Sequence, residues 1–177
     1  MKELREAYEH YTATYSDEKT VMGWPMIVYM KELLEKERPR IVVDLGSGFS
    51  SFVTRHTLPE SAHYSVDTDT GWLWKTHQFL SEMHTQMGTL LTYDEYRATR
   101  VQSDFSFYDL GNCGRRRCGF RSANAAYAWS RCIGTMLLDD TNRSWYRDSL
   151  IVSCPGAVHL KEDTCDQWGR YGSIVRR

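Results

Sequence analysis

Apolar positions along this chain change their spacing several times, and each change predicts an element. In residues 25–37, Ile27, Met30, Leu33 and Leu34 recur at the intervals of one helix face. That stretch closes in Glu-Lys-Glu-Arg ahead of Pro39, whose ring disfavours helix in the residue before it. A helix is also expected over residues 1–15. Ile41-Val-Val-Asp-Leu is instead a short apolar run closed by Gly46-Ser47-Gly48, as expected of a buried strand entering a tight turn. A helix over Ser50–Thr57 follows, and then a strand, Ala62–Val66, running into Asp67-Thr68-Asp69. Residues 70–86 return to helical spacing, with Trp72, Leu73, Phe79, Leu80 and Met83 on one broad face. Strands are expected at Thr89–Thr92, Phe105–Tyr108 and Gly134–Leu138. Between the last two come a loop, Gly111–Arg121, and a helix, Ser122–Arg131. Trp145–Ser153 reads as a helix, and Ala157–Leu160 and Ser173–Val175 as two final strands.

Strands alternating with helices imply an α/β fold: a three-layer, Rossmann-like sandwich around a mostly parallel seven-stranded sheet. The final two strands leave no room for a helix between them, so they are expected to form a C-terminal antiparallel hairpin. The length suits a single domain over residues 1–177, with N-terminal helices or a lid in 1–38 and the core in 39–177. In such sheets ligands sit beyond the carboxyl ends of the strands, which is where every motif considered below falls.

Composition narrows the class. Net charge is −1, so no global charge draws the chain to nucleic acid or to an anionic membrane. The apolar stretch around Val21–Met30 contains Gly23 and Pro25 and is too short to span a bilayer. The charged start, Met1-Lys-Glu-Leu-Arg-Glu, lacks the apolar centre of a signal peptide. Five cysteines at irregular spacing do not form a disulfide framework, so a reduced, cytoplasmic setting is expected. Cys113 and Cys118 are spaced too widely for a zinc ribbon and have no second ligand pair. No histidine falls at an expected strand end, which removes that residue from the catalytic candidates.

The strongest local signal is Val43-Asp44-Leu45-Gly46-Ser47-Gly48-Phe49-Ser50-Ser51. Glycines at 46 and 48 let the backbone turn sharply and approach a ligand closely, and the following helix offers it free N–H groups. A dinucleotide fingerprint would place a third glycine where this chain has Ser51. An acid at 44 suits a cationic ligand and would repel a pyrophosphate. Asp67 closes the second strand 19 residues beyond Gly48, where a carboxylate accepts hydrogen bonds from ribose hydroxyls. Asp69 is placed to cap the next helix. Trp72 lies in that helix's first turn, where it can face an adenine or the core.

The run from Asp44 to Gly48 resembles motif I of the class I S-adenosylmethionine-dependent methyltransferases, an acid followed by Gly-x-Gly after the first strand. The resemblance extends over about residues 41–177. It implies that Asp44, Gly46, Ser47, Gly48, Ser50, Ser51, Asp67, Thr68, Trp72, Asp94 and Asp109 bind the cofactor. Asp94 would accept from the adenine amine, or else serve as a solvated helix cap.

Two further strand ends carry acids, Asp109 after the fourth and Asp139-Asp140 after the fifth. Three converging carboxylates suit Mg²⁺, which takes oxygen ligands, and metal-dependent O-methyltransferases show a similar arrangement. A metal-free general base at Asp139 or Asp140 is the other reading, and Asp139-Asp140-Thr-Asn-Arg143 also resembles a stretch in relatives without that metal. Arg115, Arg116, Arg117 and Arg121 lie in one loop, either solvated or holding an anionic group of the acceptor. RNA finds thin support in so short a basic run.

Transfer of a methyl group to oxygen or nitrogen of a small molecule is the resulting expectation, with a homo-oligomer as one way to complete the acceptor site. A non-catalytic S-adenosylmethionine-binding module and a nicotinamide-dependent oxidoreductase remain as alternatives.

Overall fold

The computed structural model describes residues 1–17, 20–110, 118–139, 158–165 and 171–176. Two helices open the chain, α1 (Lys2–Thr14) and α2 (Trp24–Glu37). Strands and helices then alternate: β1 (Ile41–Leu45), α3 (Phe49–Thr57), β2 (Ala62–Asp67), α4 (Thr70–Glu82), β3 (Thr89–Thr92), α5 (Tyr93–Ala98) and β4 (Ser103–Tyr108). They are followed by α6 (Cys118–Arg131), β5 (Cys132–Leu138), β6 (Val158–Cys165) and β7 (Tyr171–Arg176).

The seven strands form one sheet in the order β3-β2-β1-β4-β5-β7-β6. The first five are mutually parallel. β7 enters antiparallel between β5 and β6. The strand order reverses between β1 and β4, so the crevice expected to hold a ligand opens beyond their carboxyl ends.

Alternation along the strands gives the sheet two apolar faces. Val42, Phe105, Phe107 and Leu137 face one cluster, which takes in Leu4, Ala7 and Tyr11 of α1, most of the buried face of α2, and Phe49, Phe52, Phe79 and Leu80 of α3 and α4. Val43, Leu45, Val66, Tyr108, Met136 and Leu138 face the other, packed with Tyr93 and Tyr96 of α5 and with Ala125, Ala128 and Trp129 of α6. The N-terminal helices are therefore part of the core. Residues 1–38, expected to hold N-terminal helices or a lid, interlock with it through their aromatic side chains: Tyr8 meets Trp24 and Phe49, and Tyr11 meets Phe49 and Phe79. Arg5 covers the outer side of this cluster with its guanidinium 4.8 Å from the Trp24 ring centre.

Several elements depart from the sequence expectation. α5 was not foreseen; Thr92 caps it, accepting from the Glu95 N–H while Glu95 accepts from the Thr92 N–H. α6 starts at Cys118, inside the stretch expected to be loop, and α4 ends at Glu82, four residues early. The early end of α4 coincides with His84 in the left-handed region (φ 49°) and Gly88 at φ 62°, which turn the chain back towards β3. The helix expected at Trp145–Ser153 lies outside the described residues.

Candidate functional site

Register brings the chemical residues into one row. Leu45 pairs with Val66 on one side and Tyr108 on the other, and Tyr108 pairs with Leu138. The residues that follow, Gly46, Asp67, Asp109 and Asp139, thus leave four adjacent strands at the same level. Backbone bonds hold the row together: the Gly46 N–H donates to the Val66 carbonyl (2.9 Å), Asp109 to Leu45 (2.6 Å) and Asp139 to Tyr108 (3.1 Å).

Gly46 makes the row possible. Its φ of +112° is open only to glycine at low cost, and a Cβ there would lie 2.7 Å from the carbonyl of Asp109. At Gly48, a Cβ would lie 3.2 Å from the Tyr11 hydroxyl oxygen. Residues 46–48 thus form a turn of mostly bare main chain, here called the cradle, that leads into the N-terminus of α3.

Asp67 is 7% exposed and stands beside this cradle. The Ser47 hydroxyl donates to it at 3.2 Å and the Asp69 N–H at 2.9 Å. Burial raises its pKa, and these hydrogen bonds to the charged form act against the rise. Asp69 caps α4 as expected, accepting from the Gly71 N–H at 2.7 Å. Thr68 is exposed beside Asp67.

Asp44 occupies a different setting from the one its sequence position suggested. It shares a sheet face with Val42, is 1% exposed, and accepts from Ser50 (2.9 and 3.0 Å) and Ser51. Ser65 donates to the Ser51 hydroxyl in turn at 2.8 Å. Desolvation dominates and lifts the Asp44 carboxyl to about 7, while the two serine bonds and the charge of Arg55 pull it down. Arg55 is itself buried, with Nη1 donating to the Ser51 carbonyl (2.8 Å) and Nε to that of Met87 (3.0 Å). Burial lowers its pKa to about 10. Asp44, Ser50, Ser51 and Arg55 together pin the first turn of α3 under the cradle. Nothing in the sequence pattern marked Arg55, because a charged helix residue ordinarily faces water.

The remaining predicted positions divide. Trp72 belongs to neither buried cluster, and its ring lies 4.2 Å beneath the Lys75 ammonium. Asp94 is exposed in the first turn of α5, whose cap is Thr92, so it is not the cap. Asp109 is half-buried and Asp139 is 5% exposed, on neighbouring strand ends. Asp140, Arg143 and the Arg115–Arg117 run lie outside the described residues, as does the side chain of Arg121. Among the described residues no three His, Cys, Asp or Glu side chains group closely enough to hold a metal ion. Nor is any described helix long and apolar enough to cross a membrane.

Comparison with solved structures identifies the fold. The chain has the fold of the class I S-adenosylmethionine-dependent methyltransferases, matching such structures over its whole length. It resembles the O-methyltransferase from Bacillus cereus in complex with SAH at a TM-score of 0.76, with 12% identity over 100% of this chain and 91% of that one. Cofactor-bound Rv0187 from MTB gives a TM-score of 0.78 with 13% identity, over 99% and 89% of the two chains. The O-methyltransferase TomG from Streptomyces achromogenes, in complex with SAM, gives 0.72 with 12% identity over 97% and 87%. No family model matches the chain, and no curated protein matches it in sequence.

Proposed function

We propose that this protein is an S-adenosylmethionine-dependent methyltransferase acting on a small molecule, with oxygen as the acceptor atom. The observation that carries the reading is Asp67, a carboxylate held at the end of β2 beside the Gly46–Gly48 cradle. A buried carboxylate there has two roles open to it, accepting from ribose hydroxyls or stabilising the turn. The solved structures of this fold that hold SAH or SAM favour the first.

The residues fit the cofactor. Gly46 lets the turn close against Asp109, Gly48 leaves room beside the Tyr11 hydroxyl, Asp67 accepts from the ribose, and the α3 N-terminus offers N–H groups to the cofactor's carboxylate. Ser47 and Thr68 flank Asp67, and Trp72 and Asp94 border the adenine side. Asp44, with Ser50 and Ser51, holds the turn in shape from behind and contributes negative charge beneath a cationic ligand. Bound S-adenosylmethionine supplies a methyl group already activated by its sulfonium.

The chain then has three tasks: to align acceptor and methyl group, to keep water out, and to take a proton. Asp109 and Asp139 stand at the strand ends next to the cradle, where a carboxylate can receive the proton that the acceptor hydroxyl loses as its oxygen bonds to the methyl carbon. Asp140 follows directly in sequence and is assigned the same role or that of a partner to Asp139. The Arg115, Arg116, Arg117 and Arg121 stretch is assigned to an anionic group on the acceptor. The O-methyltransferase neighbours support oxygen over nitrogen.

Calorimetry with S-adenosylmethionine and S-adenosylhomocysteine tests the reading directly. Micromolar binding by the wild type, lost in Asp67→Ala, is the expected result. Well-folded protein that binds neither ligand would refute it. Binding without methyl transfer to any of a panel of phenols, catechols and hydroxy acids would leave a binding module.

A further inference from the structure

Tyr11 belongs to α1, and its hydroxyl lies beside Gly48 at the cradle. The side chain is 1% exposed, and its oxygen has no hydrogen-bond partner among the described residues. Three rings fix the phenol: Phe79 at 4.9 Å, Phe49 at 5.5 Å and Tyr15 at 5.7 Å between ring centres. The hydroxyl therefore cannot swing away to find an acceptor. It sits 3.2 Å from the place a Cβ of Gly48 would take, and within the fields of Asp44 and Asp67. An unsatisfied buried hydroxyl costs stability, so its retention at this point needs an explanation.

Resting on the methyltransferase reading, we propose that Tyr11 donates a hydrogen bond to a ribose oxygen of the bound cofactor, making α1 a wall of the nucleoside site. The chemistry is complementary. A ribose hydroxyl that donates to Asp67 keeps lone pairs that can accept, and the Tyr11 hydroxyl is a donor within the field of that carboxylate. Burial and the two carboxylates hold the phenol firmly in its protonated, donating form. Gly48 is then glycine for two reasons, to admit the ligand and to leave room for the Tyr11 oxygen beside it.

The test is Tyr11→Phe in the full chain, which keeps every ring contact and removes only the oxygen. S-adenosylhomocysteine and its 2′-deoxy and 3′-deoxy analogues are the probes, read by calorimetry, with the thermal midpoint of the ligand-free protein alongside. The expected loss for S-adenosylhomocysteine is about 3- to 10-fold in Kd, the range of one neutral hydrogen bond. That loss should vanish with whichever deoxy analogue lacks the accepting oxygen, while the ligand-free midpoint stays level or rises. Equal losses with all three ligands would place the hydroxyl elsewhere on the cofactor and overturn the proposal. A Kd unchanged within twofold, or a midpoint lowered by several degrees, would overturn it in favour of a purely structural hydroxyl. Failure of the wild type to bind S-adenosylhomocysteine at all is a separate result, and it removes the methyltransferase reading itself.

Discussion

Gly46 and Asp109 meet backbone to backbone: a Cβ on the glycine would lie 2.7 Å from both the carbonyl carbon and the carbonyl oxygen of the aspartate. The end of β1 and the end of β4 are thus set against each other with no side chain between them. Gly46→Ala would have to push Asp109 aside and also hold φ near +112°. The variant should lose about 1–3 kcal/mol from the backbone conformation alone. Urea unfolding measures that loss, and calorimetry should show S-adenosylhomocysteine binding weakened more than tenfold. A variant as stable as wild type would mean that the turn relaxes freely.

Asp44 makes the stability depend on pH in an unusual sense for a carboxylate. Its folded pKa, about 7, lies above the ordinary 3.8, so between these values the folded chain holds a proton that the unfolded chain has released. Stability from this group is full below about pH 4, falls as pH rises, and levels off above about 7. His63 titrates in an overlapping window with the opposite effect, since burial lowers it to about 4 and charging it at low pH favours unfolding. The difference between wild type and Asp44→Asn cancels the histidine. That difference, from urea unfolding at a series of pH values, should move in favour of the asparagine variant from pH 4 to 7. A flat difference would contradict the burial of Asp44.

Arg55 donates to two backbone carbonyls from inside the core and offsets the charge of Asp44. Arg55→Met keeps much of the stem's packing but leaves both carbonyls and the carboxylate without it, and should destabilise by about 3 kcal/mol. Arg55→Lys should recover little, because one ammonium cannot reach both carbonyls in the planar geometry of the guanidinium. Recovery of full stability by lysine would show that charge alone matters at this position.

Cofactor binding should be indifferent to chelation. Among the described residues none around the Gly46–Gly48 cradle forms a metal-holding group, so S-adenosylhomocysteine should bind with the same Kd in EDTA as in Mg²⁺. Turnover, once an acceptor is found, is the separate readout. Asp109→Asn and Asp139→Asn should each lower kcat with little change in cofactor affinity if a carboxylate takes the proton, and a loss on chelation would instead assign them to a cation.

Much of this was legible because the sheet writes itself in apolar runs ending in Gly or Asp. β1, β2 and β3 were readable to within a residue, and with them the positions of Gly46 and Asp67. α5 escaped because six residues are too few to show a helical period. Its Thr92-x-x-Glu95 capping box was nonetheless in the sequence and would have revealed it. Strand alternation puts Asp44 on the side of Val42 and α3, and its serine partners there follow from the fold and not from the local motif. Tyr11 and Arg55 were beyond reach. Their importance comes from neighbours tens of residues away, and no local pattern separates a tyrosine that seals a core from one whose oxygen meets a glycine turn.

The interlocking of α1 with α3 and α4 has a consequence for how the molecule is made. Apart from its near neighbour Tyr15, Tyr11 finds its ring partners at Phe49 and Phe79. A nascent chain must therefore extend well past residue 79 before α1 finds its full set of ring contacts. Until then α1 is an amphipathic segment whose apolar stripe lacks its cover from α3 and α4, so an element made before them is secured only after them.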